Sequence, residues 1–261
     1  MQGNAGRQFM RATAYGYPDD PREPSDQEKG LPQPPLQLDW DESAPAIELP
    51  PPAEITVPST DLRTIIEQRR SVRTYADTPL TLNELAWLLW ATQGVQEVGP
   101  GRTLRTVPSG GARHPFETVL SVNRVEGVPP GLWRYVAIGH KLVAWDLSTP
   151  DIADTITRHC MGQRFVSESA VMFIWICVPY RSVWRYQDRA YRGMHVDVGH
   201  VCQNLYLAAE GIGCGCCAIM AYGDPQMNGL VGLDGEEQFV IYVATVGKKK
   251  GDGPTAPPAS S

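Results

Sequence analysis

The sequence predicts an α+β fold, and three observations carry that prediction. Residues Ala170 to Val178 are apolar without interruption, as a central strand covered on both faces must be. A helical pattern runs from about Arg189 to Glu210, with Val198, Val201, Cys202, Leu205, Ala208 and Ala209 on one broad apolar face and Gly211 as its stop. The other strand and helix signals follow one another without a regular βαβ rhythm, which argues against a doubly wound sheet.

The elements read in order from an N-terminal region unlike the rest. Residues 1–58 hold roughly half of the 23 prolines, some in runs such as Pro34-Pro35 and Pro50-Pro51-Pro52. Proline removes backbone donors and favours extended chain, so this region cannot build its own core. Phe9, Met10, Tyr15, Tyr17, Leu36, Leu38 and Trp40 are too many apolar anchors for a plain linker. The expectation is an extended arm lying on the folded body or on a partner subunit. The body, residues 59–250, opens at Ser59-Thr60-Asp61, which can cap a helix carrying Leu62, Ile65 and Ile66 and reaching near Arg73. Thr81 and Glu84 form a capping-box pattern ahead of Leu85, Ala86 and Leu89, with Gly94 as the stop.

Strands are expected over Phe116–Asn123, Leu132–Tyr135 and Lys141–Leu147, separated by the Gly127–Gly131 and Gly139-His140 turns. Thr149-Pro150-Asp151 opens a helix to about Cys160. Asp224-Pro225 caps a short helix, Gln238–Val246 is the last strand, and residues 251–261 are a disordered tail.

Composition narrows the function classes. A chain of 261 residues with net charge −6 has no electrostatic footprint for coating nucleic acid. No apolar run approaches the ~20 residues of a membrane span, and no charged-then-apolar leader marks a signal peptide. Six cysteines, three of them at Cys214, Cys216 and Cys217, do not make a disulfide framework, so a reduced, cytoplasmic setting is expected.

Against the acidic background, Arg69, Arg70 and Arg73 stand out around Ser71. Guanidinium forks suit phosphate oxygens. The turn Pro108-Ser109-Gly110-Gly111 has no bulky side chains, so its amides can approach a flat ligand closely. Together they indicate a phosphorylated cofactor; a solvated basic patch offsetting a helix dipole is the plainer reading. Gly211, Gly213 and Gly215 follow a helix, not a strand, and fail the context test for dinucleotide binding. Cys-x-Cys-Cys is not a usual zinc spacing, and His195 and His200 diverge on a helix. No metal is expected, and His114 and His200 read as structural.

Several segments in order carry a resemblance: Arg69–Arg73, Leu88–Gly94, Arg105–Pro115, Pro130–Tyr135, Gly199–Leu205, the closing Gly247-Lys248, and Gly30–Pro35 ahead of them. The chain resembles the flavin-dependent nitroreductase superfamily, and in particular its SagB-type dehydrogenase branch, which includes azoline oxidases of peptide natural-product pathways. The resemblance implies a nitroreductase-like fold, a mixed central β-sheet flanked by helices, in a homodimer with FMN at the interface. It implies that Arg69 and Ser71 hold the phosphate and ribityl end, with Arg70 in the same segment, and that Arg73 reaches the pyrimidine side of the ring. Pro108, Ser109, Gly110 and Gly111 would cross the same flavin from the other subunit. Met220, Ala221 and Tyr222 would present backbone near flavin N5, and Lys248 would meet the phosphate.

By the same resemblance, Trp184-Arg185-Tyr186 is the substrate side. Relatives carry a Lys-Tyr pair there to deprotonate substrate; here Tyr186 is kept and Arg185 replaces the lysine. Arginine does not give up its proton, which leaves Arg185 to bind an anionic group or orient Tyr186. The readings that follow are a ping-pong FMN oxidoreductase acting on a small-molecule or peptide-derived substrate, an NAD(P)H-dependent nitro or quinone reductase, and a non-catalytic flavin-binding subunit of a modification complex.

Overall fold

The computed structural model describes residues 4–16, 23–58 and 60–250; Tyr17, Ser59 and the tail 251–261 lie outside them. The arm holds helix α1 (Ala5–Ala12), capped by the Asn4 side chain, and strand β1 (Ala46–Glu48). Asp61 starts α2 (Leu62–Gln68) by accepting from the Thr64 amide at 3.0 Å. This helix ends at Gln68, five residues short of Arg73, for a tertiary reason. The Val72 amide donates to the Cys216 carbonyl at 2.9 Å and Ser71 bridges Cys216, so backbone that could have continued the helix joins the sheet edge.

The capping box forms reciprocally between Thr81 and Glu84, at 2.9 and 3.2 Å, and starts α3 (Leu82–Gln93), with Gly94 just beyond it. A hairpin of β2 (Val95–Gly99) and β3 (Arg102–Arg105) follows. Then come β4 (Phe116–Val122), β5 (Gly131–Val136), β6 (Lys141–Asp146), α4 (Ile152–His159) and β7 (Val171–Cys177). The chain closes with α5 (Tyr180–Tyr186), α6 (Arg189–Gly211), β8 (Cys214–Ile219), α7 (Asp224–Leu230) and β9 (Phe239–Lys248).

Seven strands make one sheet in the order β1-β6-β5-β4-β7-β9-β8. All its ladders are antiparallel. Parallel pairing is confined to the single bridges Ser71–Cys216 and Leu80–Val125, so the expected mixed sheet is an antiparallel one. β7 lies inside it, between β4 and β9, and all its residues are buried. Phe173, Trp175 and Cys177 face a core shared with α3 and α6; Met172, Ile174 and Ile176 face a second core with Ile156, Met227 and Val240. Each such side chain contributes roughly 1.5–3 kcal/mol of burial.

The apolar face of α6 is spent inside the chain. Val198, Val201, Cys202, Leu205, Ala208 and Ala209 are all buried in the first core, so this face is not free to form a subunit contact. The outward stripe is Gly193, Val196, Gly199, His200 and Gln203. Among the described residues no helix is long and apolar enough to cross a membrane.

The arm lies along the body, fixed by a buried ionic cluster. Glu117 accepts from Arg181 at 2.5 Å and from Arg134 at 3.0 Å, all three nearly excluded from solvent. Burial alone would raise the Glu117 carboxyl, but Arg181, Arg134 and the Leu38 amide outweigh it and hold it below its ordinary value. The spare donors of the cluster reach the arm: Arg181 to the Pro35 carbonyl, and Arg134 to those of Leu38 and Asp39.

Candidate functional site

The long helix α6 organises two groups of predicted residues, one near each end. At its C-terminal half stands Tyr206. Its hydroxyl bonds Ser71 Oγ at 3.0 Å and accepts from the Ala218 amide at 2.8 Å, joining helix, arginine segment and β8. The Arg69 guanidinium lies 5.3 Å from the Tyr206 ring centre, and that of Arg73 lies 6.0 Å from the Phe165 ring. Arg70 folds back onto its own backbone, donating to the carbonyls of Glu67 and Arg69. Among the described residues none of these three arginines has a carboxylate partner. Gly215 makes the approach feasible, because a Cβ there would stand 2.6 Å from that of Val72.

Met220 and Ala221 follow β8 and are exposed, Met220 at 81%. Tyr222 turns inward instead, its hydroxyl donating to the Val240 carbonyl at 3.2 Å, so only its backbone is available to a ligand. The Lys248 ammonium is already held by Glu84, the capping-box residue of α3. Any anion it met would share it with that carboxylate.

At the N-terminal half of α6 stands Asp197. It accepts from Ser109 Oγ at 2.7 Å and from the Gly110 amide at 3.0 Å. Ser109 Oγ in turn accepts from the His114 amide, so Ser109 and Gly110 are fastened before any ligand arrives. Burial raises the Asp197 carboxyl above its ordinary value despite these two donors. Burial, with Arg105 beside it, lowers His114 to about 3, which keeps the imidazole neutral and structural.

Gly111 has φ +62°, and a Cβ on it would stand 2.3 Å from the Tyr186 hydroxyl. Tyr186 is therefore packed against the small-residue turn, and Arg185 stacks on it at 5.4 Å. Trp184 packs inward, its indole donating to the Leu31 carbonyl at 3.1 Å. Arg113, 5.6 Å from the Trp184 ring, holds the turn by donating to the Gly111 carbonyl at 3.1 Å.

The structure thus brings Tyr186 and Arg185 to the Pro108–Gly111 turn, and the arginine segment to β8. It does not bring these two groups together in one chain, since Asp197 and Tyr206 are nine residues apart on a helix, about 14 Å. The sequence reading missed both organisers. Asp197 had a signal, a carboxylate on the buried stripe of Met194, Val198 and Val201; Tyr206 had none.

The first group fits an anionic, phosphorylated ligand: a half-buried Arg69, exposed Arg70 and Arg73, a hydroxyl and a strand edge, with no carboxylate paired to these arginines among the described residues. The second group offers a phenol, a guanidinium and a rigid turn. The cysteines contribute to neither, because all six are free and buried, with Cys202 and Cys214 pushed up to about 12 by burial. Among the described residues no three His, Cys, Asp or Glu side chains are grouped to hold a metal.

Comparison with known proteins agrees with the fold. The family model "Nitroreductase family" matches residues 66–248. A protein of Methanocaldococcus jannaschii that bears a nitroreductase name, MJ1384, is 32% identical over 200 residues, 75% of this chain and 96% of that one. The trifolitoxin-processing protein TfxB of Rhizobium leguminosarum bv. trifolii is 33% identical over 130 residues, 47% of this chain and 34% of TfxB. A crystal structure of a nitroreductase-type protein of Anabaena variabilis superposes with TM-score 0.65 at 25% identity. That match spans 80% of this chain but 42% of the Anabaena chain. A structure of the Escherichia coli microcin synthetase McbBCD complex with truncated pro-MccB17 bound gives TM-score 0.59 at 19% identity, covering 77% of each chain. With the family model spanning most of its length, the chain belongs to the nitroreductase family.

Proposed function

We propose that this protein is an FMN-dependent oxidoreductase that works as a homodimer. One observation carries the reading: Arg69, Arg73 and Ser71 are presented together at the sheet edge of an acidic protein, with no carboxylate among the described residues to neutralise the arginines. Arg69 and Ser71 would hold the phosphate, and Arg73 would stand toward the pyrimidine side of the ring, beside the backbone of Met220 and Ala221. Bound FMN would supply hydride acceptance and donation. The chain's own residues do the rest. Arg73 places a fixed positive charge near the ring, Tyr186 offers a proton donor or acceptor to the substrate, and Arg185 fixes the charge beside that phenol.

The homodimer is part of the proposal: the arginine segment and the Tyr186 turn of one chain are organised by different ends of α6, so each site would be completed by the turn of a second copy, meeting along the Gly193–Gln203 stripe. The test is direct: the purified protein should be yellow, with one non-covalent FMN per chain of a dimer. A protein that takes up no FMN on titration, or a monomer that binds it fully, overturns the reading.

The similarity to TfxB favours a peptide-derived substrate over a nitro compound or quinone. Anaerobic NAD(P)H distinguishes the two, because rapid bleaching of the bound flavin marks the reductase. A protein that binds FMN and is never reduced by any donor would be the scaffold subunit.

A further inference from the structure

A cavity of about 320 Å³ adjoins Tyr186, lined among others by Gly110, Arg192, Met194, Asp197 and Tyr15. Four parts of the chain meet there: the Gly110 turn, the end of α5, the first turns of α6, and Tyr15 of the arm. Arg189 Nε donates to the Ala14 carbonyl at 3.1 Å, and Arg192 donates to the Thr13 carbonyl. The Tyr15 ring lies 4.5 Å from the Arg189 guanidinium, yet Tyr15 remains 65% exposed. One turn further along, His195 meets Phe9 of α1 edge to face at 6.0 Å. Arg189, Arg192 and His195 are three apart and share one helix face.

Two successive main-chain carbonyls and the aromatic side chain after them are thus read by two guanidinium groups, beside the phenol assigned to the substrate. The geometry points to a peptide-binding subsite: the Arg189–Arg192 face beside this cavity takes a short peptide segment by two adjacent carbonyls and a following aromatic residue, and Thr13–Tyr15 are held there in cis. The inference rests on the reading of Tyr186 as the substrate side and adds how that side recognises its ligand. The cis contact includes two main-chain bonds and a largely exposed ring, features that an incoming peptide can reproduce. Its advantage is tethering, which gives the arm an effective concentration of order millimolar.

The probe is a fluorescent synthetic peptide with the sequence of residues 4–16, followed by anisotropy against the full-length protein. Tyr15→Ala weakens the resident segment but not the probe, so this variant should bind the probe about tenfold more tightly than wild type. Adding Arg192→Ala should remove the gain. Absence of binding to a folded Tyr15→Ala protein, or binding indifferent to Arg192→Ala, overturns the subsite. If either variant does not fold, hydrogen exchange on wild type reads the same competition. Faster exchange of residues 13–16 with excess probe supports the subsite, and unchanged exchange overturns it. Flavin absorbance is read in parallel: peptide binding without FMN uptake defeats the redox reading alone, and FMN uptake without peptide binding defeats the subsite alone.

Discussion

The two ends of α6 meet the chemistry of the protein in opposite ways. Near Tyr206 the neighbouring charges are exposed and unmatched; near Asp197 the polar groups of the turn are tied to each other and to the helix. An unmatched end can take a charged ligand without breaking anything. A tied end holds geometry, which proton transfer needs more than it needs charge. On the proposed reading, one helix would serve as binding edge and as reaction scaffold, the two tasks sitting at different turns.

Substitutions at four positions break or sharpen that contrast. The largest effect is expected from Tyr186→Phe, which keeps ring packing and FMN content but should cut turnover with the true substrate by about 10²–10⁴-fold. Equal turnover would make the Asp197 end purely structural. Arg69→Ala comes next. Loss of one charge-assisted contact is worth about 1.5–3 kcal/mol, so FMN titration should show affinity falling by roughly ten- to a hundredfold, with turnover at saturating FMN retained.

Asp197→Ala leaves Ser109 Oγ and the Gly110 amide without their acceptor and should cost about 1–3 kcal/mol in denaturant unfolding. The companion Asp197→Asn tests the charge. A carboxyl raised in the folded state makes stability fall as pH rises from its unfolded value to the raised one, and the amide should abolish that slope. The smallest effect belongs to Tyr206→Phe, which removes two hydrogen bonds of about 1 kcal/mol each. It should loosen FMN only a few-fold, because Arg69 keeps its ring to lie on.

Much of the fold was legible because local signals and tertiary needs coincide. Ala170 to Val178 reads as a doubly covered strand and is one, since no other position lets both faces of seven buried residues be apolar. The Thr81–Glu84 box reads as a helix start because the same two side chains satisfy the same two amides in any context. Legibility failed where the neighbours decide. The arginine segment looks like a helix end, and only the partner at Cys216 makes it extended. In β3 the pattern is inverted, with Thr103 and Arg105 buried and Leu104 40% exposed, so no apolar alternation marks the hairpin. The Arg185-Tyr186 pair was visible as a motif, whereas Asp197 and Tyr206, which hold the surrounding parts, act through contacts 88 and 135 residues away in sequence.

The Glu117 cluster turns the arm from an appendage into part of the folding unit. A chain shortened past Asp39 would strand donors of Arg134 and Arg181 in a dry interior, along with the oxygen that Leu38 covers. Each buried donor or acceptor left unpaired in this manner costs about 1–3 kcal/mol, and together they are a large share of a domain's stability. Trimming should therefore begin to fail when it passes Pro35, and the failure should be complete by Asp39. Because the carboxyl is depressed in the folded state, its contribution is intact at neutral pH and disappears as acid titrates it, so arm and sheet should come apart together on acidification. Proteolysis from the N-terminus has the same natural stopping point, and any tag or fusion partner belongs before the segment that this carboxylate grips.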